Sequence, residues 1–358
     1  MPQFNLNQKP ALPEVPRPIV MIGAGGIVHD AHLPAYRKAG FQVAGLYDLN
    51  PERAQALASQ FGIKRVFPSL ESAVSDAPPD AVFDVAVPAP AILKVLPHLP
   101  SGRGVLIQKP LGENLAEARR IVELCHEKQF RAALNFQMRY APYVLAARSL
   151  LEQGAIGDLH GMELRVAVLT PWHLWTFLEG IPRLEILYHS IHYLDLIRSF
   201  LGNPRGIYAK TTKLPAFPHL APTRSTLIMD YGDAIQACVS ANHGHGFGRR
   251  HQESFIKWEG TKGAIYVKMG LLLDYPKGEP DEMEFCILRD GESPRWEPVA
   301  LEGTWFPDAF IGTMASVMRW VDNSDDKAST AVDDAFKTMA VVEAAYRSSE
   351  QGGEPIPY

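Results

Sequence analysis

Short apolar runs alternate with amphipathic segments along residues 18–136. The apolar runs predict buried strands at 18–22, 41–48, 64–67, 79–88, 105–107 and 131–136. Helical periodicity lies between them, through Ala31 and Tyr36, from Asn50 to Phe61, from about Ser69, through Leu96, and from Leu115 to Gln129. Because strands that alternate with helices form parallel sheets, this region predicts an α/β fold with a doubly wound parallel sheet.

The pattern changes after residue 136. A predicted helix at 140–154 is followed by runs with period-two alternation, at 159–169, 205–213, 225–231, 234–241, 253–259, 263–269 and 284–288. This alternation predicts a mostly antiparallel sheet with one covered face. Helices at about 307–322 and 331–350 are predicted to finish the chain.

The length of the chain supports this division. A chain of 358 residues exceeds one ordinary core, so two domains are expected. We place an N-terminal arm at 1–17, the first domain at 18–136 and the second at 137–358, with the C-terminal helices as candidates to pack back on the first domain.

Composition excludes several classes of protein. A net charge of −5 gives no basic surface for nucleic acid, and no apolar run reaches the length of a membrane span. The three cysteines are far apart, which argues against a disulfide framework, and we predict no metal site. The polar, proline-rich N-terminus lacks a signal pattern, so we expect a soluble cytoplasmic protein.

A glycine-rich turn follows the first predicted strand. Gly23 suits a tight turn, Gly25 lets the backbone approach a pyrophosphate, and the following helix N-terminus attracts its charge. Asp48 ends the next strand, 25 residues after Gly23, close to the spacing of a ribose-binding carboxylate. Val28 replaces the third glycine of the strict pattern. We predict dinucleotide binding; the alternative is a glycine-rich turn in another βαβ fold.

A lysine follows the apolar run Val105–Ile107. Pro110 biases Lys109 away from the helical region, so the lysine is presented at a strand end. Ligands of open parallel sheets bind just outside the carboxyl ends of the strands. The alternative is a solvated lysine in an ordinary surface turn.

A second group of polar residues lies on a helix predicted from Glu185 to a glycine stop at Gly202. Apolar positions nearly encircle this helix, which is typical of a buried one. Its polar residues nevertheless fall on one side, at Glu185, Tyr188, His189, His192 and Asp195. Such a stripe lines a cavity or consists of paired core groups, because unpaired buried polar groups are unfavourable.

These motifs together resemble the glucose–fructose oxidoreductase / inositol dehydrogenase / rhizopine-catabolism (Gfo/Idh/MocA) family over nearly the whole chain. The matching segments are Gly23-Ala-Gly25-Gly26-Ile27, Tyr47-Asp48 with Arg53-Ala54, Gln108-Lys109-Pro110, Asn135-Phe-Gln137 with Arg139, His192 with Asp195 and Gly202, and Val342-Glu343 with Tyr346 and Ser348.

The resemblance implies a Rossmann domain that binds NAD, with NADP less favoured, and a second domain whose large open sheet builds a homodimer or homotetramer. It implies that Lys109 and His192 face the nicotinamide and the reacting carbinol. His192 would take the hydroxyl proton and Lys109 would stabilise the alkoxide. Tyr188, in place of the family's usual aspartate, would orient the imidazole or share the proton relay with His189. The implied cofactor contacts are Gly23, Gly25, Gly26, Ile27, Asp48, Arg53, Val87, Pro88, Gln108, Lys109, Gln137 and Arg139.

The chain departs from the family pattern at four positions. Gln108 replaces the glutamate of the lysine motif, and Ile92 replaces a histidine common after the fourth strand. Tyr188 replaces an aspartate four residues before His192, and Ser190 replaces a glycine two residues before it.

An aromatic strip from Thr170 to Trp175 precedes the helix predicted from Glu185 to Gly202, called here the histidine helix. Aromatic faces with a few hydrogen-bonding groups suit a sugar; the alternative is a hydrophobic clamp between the domains. Arg183 would bind a carboxylate or a hydroxyl pair, or serve as a surface ion-pair partner. The candidate substrate contacts are Lys109, Trp172, Trp175, Arg183, His189 and His192.

Three functions remain open. The first is an NAD-dependent dehydrogenase that oxidises an aldose to a lactone or a polyol such as an inositol. The second is a glycoside-processing enzyme whose tightly held NAD is reduced and reoxidised in each turnover. The third is a non-catalytic regulator with the same fold, although the presence of both Lys109 and His192 argues against it.

Overall fold

The computed structural model describes residues 4–323 and 325–356. They form two compact units: 9–141 with 306–339, called here the nucleotide unit, and 4–8 with 142–305 and 340–356, called here the sheet unit. No helix among these residues is long and apolar enough to cross a membrane.

The strands are β1 Ile19–Ile22, β2 Val43–Tyr47, β3 Val82–Val85, β4 Gly104–Ile107, β5 Arg131–Leu134, β6 Leu159–Ala167, β7 Gly206–Thr212, β8 Arg224–Asp230, β9 Gln236–Asn242, β10 Glu253–Gly260, β11 Gly263–Lys268, β12 Glu282–Ile287 and β13 Trp296–Val299. The α-helices are α1 Leu33–Ala39, α2 Pro51–Phe61, α3 Leu70–Ser75, α4 Ile92–Val95, α5 Leu115–Glu127, α6 Pro142–Glu152, α7 Ile191–Leu201, α8 Asp308–Asp322 and α9 Val332–Gln351. Two wider π-helical turns, Val28–His32 and Ile186–Ser190, lead into α1 and α7.

The nucleotide unit contains a five-stranded parallel sheet in the order β2-β1-β3-β4-β5. Strands β1, β3 and β4 are buried at every residue, as expected when helices cover both faces. The doubly wound parallel sheet is thus confirmed. The predicted strand at 64–67 is wrong: only Val66 makes an isolated parallel bridge, with Leu46, so the sheet has five strands rather than six.

A late helix belongs to this same unit. Helix α8 packs against β4, β5 and α1, and buries Phe310, Met314 and Val317. Gly104 allows the close approach, because a Cβ there would lie 2.7 Å from Val321 and 3.0 Å from Val317. The core of the nucleotide unit is therefore formed by two parts of the sequence that lie far apart.

The sheet unit contains eight strands in the order β13-β12-β11-β10-β6-β9-β8-β7. Every neighbouring pair is antiparallel except β6 and β9, which are parallel. Buried and more exposed residues alternate along β8 to β11, and α7 packs against β6 and β9. The predicted mostly antiparallel sheet with one covered face is confirmed.

Candidate functional site

The glycine turn after β1 has the geometry of a phosphate-binding turn. Gly23 has a φ of +111°, and a Cβ there would lie 2.3 Å from the carbonyl oxygen of Ala86, so only glycine fits. A Cβ on Gly25 or Gly26 would meet no atom within 4 Å, so the space above them is open. The carbonyl of Gly25 accepts hydrogen bonds from Val28 and His29, which starts the helix at this point.

Asp48 lies beside this turn, at the carboxyl end of β2. Its Oδ2 accepts a hydrogen bond from the amide of Ala24 at 2.7 Å, and its Oδ1 accepts one from Asn50 at 2.8 Å. Asn50 caps α2 by accepting a hydrogen bond from the amide of Arg53 at 3.1 Å. The side chain of Arg53 is exposed. The turn thus holds a half-buried carboxylate where a ribose-binding acid is expected.

The loops after β3 and β4 lie at the same edge of the sheet. Val87 and Pro88 lie in the loop after β3, with one residue between them and its end. The amide of Gln108 donates to the carbonyl of Val85 at 3.0 Å. The Oε1 of Gln108 accepts a hydrogen bond from the amide of Lys109 at 2.9 Å. The Gln108 side chain therefore fixes the backbone from which Lys109 projects.

Lys109 is placed at the carboxyl end of β4, before a cis peptide bond to Pro110. Its side chain is largely withdrawn from solvent, and burial lowers the pKa of its ammonium group from 10.5 to about 8. A lysine in this state can donate a hydrogen bond as an ammonium and still exchange its proton near neutral pH.

Gln137 and Arg139 lie on the short 3₁₀ turn after β5. Gln137 is 4% exposed, and its Oε1 has no hydrogen-bond partner among the described residues. The guanidinium of Arg139 binds Asp334 at 2.6 Å and the carbonyl of Ser329 at 2.9 Å. Arg139 therefore holds the beginning of α9, and its assignment to the cofactor stays a prediction.

A buried polar cluster behind the glycine turn was missing from the sequence analysis. The Oδ2 of Asp84, in β3, accepts hydrogen bonds from His32 Nδ1 at 2.7 Å and from the hydroxyl of Tyr36. The amide of Asn135 lies 3.1 Å from His32 Nε2, and its carbonyl accepts a hydrogen bond from Thr313 at 2.9 Å. Asp84 in an otherwise apolar strand was the available signal, since a fully buried carboxylate needs partners.

In the sheet unit, the histidine helix is buried almost throughout. Between residues 184 and 198, His189 is the one residue that is not buried; Tyr188 is 9% and His192 8% exposed. Asp195 is 1% exposed, and its carboxylate lies 3.9 Å from the guanidinium of Arg198. The roles that the family resemblance implies for Tyr188, His189 and His192 stay predictions.

The two tryptophans of the aromatic strip have different surroundings. Trp172 is 7% exposed, and its ring centroid lies 5.1 Å from that of His189. Trp175 is half-buried and packs against Tyr275 at 5.3 Å. The structure thus brings Trp172 and His189 together within one unit.

Arg183 forms a bidentate ion pair with Glu343. Its guanidinium binds both carboxylate oxygens of Glu343, at 2.7 and 3.2 Å, and its charge lies 4.7 Å from the ring centroid of Tyr346. The hydrogen bond to Glu343 raises the pKa of Arg183 above its usual value. This is the geometry of the ion-pair alternative, and a contact with substrate stays a prediction.

His243 was also missing from the predicted site. It follows β9, is 2% exposed, and its ring centroid lies 4.5 Å from that of His189 and 5.8 Å from that of Trp172. No group of three histidine, cysteine or acidic side chains able to hold a metal ion occurs in the part of the chain that the structure describes.

Two family models match this chain. The family model described as an oxidoreductase family with an NAD-binding Rossmann fold matches residues 17–136, and the GFO/IDH/MocA C-terminal domain matches residues 144–266. The first match confirms the predicted NAD-binding domain.

Individual proteins are similar over a part or most of the chain. D-apiose dehydrogenase of Rhizobium rhizogenes is 24% identical, over 87% of this chain and 89% of its own length. Inositol 2-dehydrogenase of Acidothermus cellulolyticus is 32% identical, over 39% of this chain and 41% of its own. The structure of an oxidoreductase from Agrobacterium radiobacter in complex with NAD+, L-tartaric acid and magnesium superimposes with a TM-score of 0.76 at 22% identity, and covers 95% of this chain and 98% of that one. Since the two family models together match residues in both units, the chain belongs to the GFO/IDH/MocA family of oxidoreductases.

Proposed function

We propose that this protein is an NAD-dependent dehydrogenase that oxidises a CH–OH group of a sugar or polyol. The observation that carries the proposal is Lys109: a largely buried ammonium group at the carboxyl end of β4, in the same unit as the glycine turn and Asp48. The similarity to D-apiose dehydrogenase and inositol 2-dehydrogenase supports the class of substrate.

The residues present fit the cofactor. The open space above Gly25 and Gly26 can admit a pyrophosphate, and Asp48 lies beside it for the ribose hydroxyls. Gln137, buried with an unpaired carbonyl oxygen among the described residues, can accept a hydrogen bond from the cofactor. When bound, NAD accepts the hydride from the carbinol carbon.

The chain must then manage the hydroxyl proton and the developing charge. We assign Lys109 as the donor that stabilises the alkoxide, and His192 as the base that takes the proton, because imidazole titrates near neutral pH. Tyr188 orients the imidazole and His189 shares the relay in this proposal. One proton and one hydride leave the substrate, which becomes a carbonyl compound.

Two residues of the sheet unit support the proposed class of substrate. Trp172 and His189, in ring contact, offer an aromatic face and a hydrogen-bonding group, which suits a sugar ring. We favour a free sugar oxidised to a lactone, and ring oxidation of a polyol is the second possibility. Glycoside processing and a purely regulatory role gain no support from relatives that are named dehydrogenases and a reductase.

We also propose that the sheet unit forms a homodimer or homotetramer. Tyr208 and Ile228 are cross-strand neighbours on β7 and β8, and they are 66% and 50% exposed. Exposed apolar pairs on a sheet face favour association with another copy. A cytoplasmic location stays a prediction.

A screen with purified protein tests the function. Aldoses, including D-apiose, polyols and glycosides are each mixed with NAD, and formation of NADH is followed by its absorbance. We expect stoichiometric NADH from at least one free sugar or polyol. Product formation from a glycoside without accumulation of NADH would contradict the proposal and support the glycoside-processing alternative.

The same assay distinguishes the two histidines. His192→Ala should lose the low-pH limb of the rate profile that a titrating base produces. If His189→Ala abolishes that limb and His192→Ala keeps it, His189 is the base.

A further inference from the structure

The π-helical turn at Ile186–Ser190 creates a contact that an ordinary α-helix does not make. The hydroxyl of Ser190 donates to Oε1 of Glu185 at 2.6 Å, and the two residues are five positions apart. On an α-helix, neighbours on one face are three or four positions apart, so the wider turn is what brings these side chains together. Ser190 is also a position at which this chain departs from the family resemblance.

Glu185 is a buried carboxylate with a small set of partners. It is 1% exposed and accepts hydrogen bonds from the hydroxyls of Ser190 and Ser225. Its one basic neighbour among the described residues is His243, whose Nε2 lies 3.4 Å from Oε1. A carboxylate withdrawn from water needs such partners, because an unpaired buried charge is strongly unfavourable.

His243 connects this carboxylate to the half-exposed end of the cluster. Its Nδ1 is hydrogen-bonded to the hydroxyl of Thr170 at 2.8 Å, which fixes the plane of the ring. The other face of the cluster is formed by His189 and Trp172, at ring-centroid distances of 4.5 and 5.8 Å. The indole N–H of Trp172 is buried and has no hydrogen-bond partner among the described residues.

We propose that Glu185, Ser190 and His243 form a positioning unit that orients His189 and Trp172 to bind the hydroxyl groups of a sugar. His243 acts through His189, since His243 is itself buried, whereas His189 is partly exposed. The proposal rests on the function proposed above. In this chain the positioning unit supplies the carboxylate of Glu185 at the start of the histidine helix. Tyr188 stands in that helix in place of the family's aspartate.

Two tyrosines also lie near the carboxylate of the positioning unit, and both feel its charge. Burial, and after it the charge of Glu185, raise the pKa of Tyr193 and of Tyr346. Both phenols therefore stay neutral near pH 7.

The test compares sugar binding in matched variants of the full chain. Ser190→Ala removes one donor to Glu185. The double variant Glu185→Gln/His243→Gln keeps hydrogen-bonding groups on both sides but removes the charge and the imidazole. The double variant is used because removal of His243 alone leaves the carboxylate buried without its basic partner, and that variant can fail to fold.

We expect the double variant to raise the KM for the best sugar of the screen about tenfold or more, and Ser190→Ala to raise it less. NADH affinity and the melting temperature should stay near those of the unchanged protein. His245→Gln is the matched control for the histidine, because His245 lies on the same loop and its imidazole is hydrogen-bonded to the carbonyl of Arg250, at 3.2 Å. Ser316→Ala is the control for the serine, since its hydroxyl donates to a backbone carbonyl in the nucleotide unit.

A second readout does not depend on turnover. Sugar binding is followed by the fluorescence of Trp172, taken as the difference between each protein and the same protein carrying Trp172→Phe. D-apiose is the first probe. The unchanged protein should show a saturable change that is weakened in the double variant and kept in His245→Gln.

The outcomes separate this inference from the proposed function. If the protein oxidises a sugar and the folded double variant has the same KM and the same fluorescence titration, the positioning unit is only a buried polar core and the inference is overturned. If no sugar is oxidised but the fluorescence change is present and depends on the unit, the dehydrogenase function fails and the inference stands. Absence of both signals in the unchanged protein overturns both.

Discussion

The Oδ2 atom of Asp48 accepts a hydrogen bond from the backbone amide of Ala24 at 2.7 Å, so that β2 is joined directly to the glycine turn. The carboxylate is thereby held next to the site of the ribose, where it would repel a 2′-phosphate. We expect kcat/KM for NAD to exceed that for NADP by about two orders of magnitude, a difference of ~3 kcal/mol.

Asp48→Ser is the variant that checks the cause of this preference. It should lower the ratio of kcat/KM for NAD to kcat/KM for NADP, because KM for NAD rises. It should also lower the free energy of unfolding slightly, because the amides of Ala24 and Asn50 lose a charged acceptor. Equal use of both cofactors by the unchanged protein would refute the role of Asp48.

The largely buried ammonium group of Lys109 predicts an unusual pH dependence of stability. Its pKa falls from 10.5 to about 8 on folding, so between these values the unfolded chain binds more protons than the folded protein. Stability should therefore rise with pH across this window, and the full unfavourable effect should be present below about pH 8. Lys109→Met should be more stable than the unchanged protein at pH 7, by at most ~3 kcal/mol.

The measurement is denaturant unfolding of both proteins from pH 7 to pH 10.5, without cofactor. The difference in the free energy of unfolding should shrink as the pH rises. A difference that is constant with pH would mean that burial does not shift the pKa of Lys109.

The ion pair of Arg183 and Glu343 predicts a structural role for both. Both terminal nitrogens of the Arg183 guanidinium bind the carboxylate of Glu343, and the pair is partly withdrawn from solvent. A double-mutant cycle to alanine should therefore give a coupling free energy of about 1 kcal/mol. The KM for sugar should stay unchanged in Arg183→Ala. A large rise in KM with unaltered stability would instead favour the substrate contact.

His29 and His32 lie one turn apart and each pairs with an aspartate, which makes them a matched test of burial. The His32–Asp84 pair is fully buried at 2.7 Å, and the His29–Asp30 pair is exposed at 2.6 Å. His32→Leu should lower the free energy of unfolding by about 3–5 kcal/mol, because Asp84 stays buried with only Tyr36. His29→Leu should change it by about 1 kcal/mol or less.

Denaturant titrations of the two variants and the unchanged protein give these values directly. Similar losses in both variants would show that distance rather than burial sets the strength of these pairs.

The alternation of apolar runs and helical segments was enough to predict the nucleotide unit, because β1, β3 and β4 are apolar at nearly every position. It failed at 64–67, where Val66 alone pairs with β2. It also missed β13, whose Pro298 lacks an amide donor. A proline is tolerated there because β13 lies at the edge of the sheet.

The candidate site was predicted less completely than the fold. The spacing of apolar residues within a single helical turn does not distinguish an α-helix from a π-helix. The contact between Glu185 and Ser190 could therefore not be inferred from the sequence. His243 gave no signal as a lone histidine after a strand. It meets Thr170 because β6 and β9 pair in parallel, a long-range arrangement that neither segment indicates by itself.

The central claim is that Lys109 serves chemistry in a sugar or polyol dehydrogenase, and kcat of Lys109→Met tests it most directly. The rate is read from NADH absorbance at saturating NAD and sugar, beside His192→Ala and the unchanged protein. Loss of an alkoxide-stabilising donor or of the base should lower kcat by about 10²–10⁴, while NADH affinity is kept. Full kcat in a folded Lys109→Met variant would contradict the account.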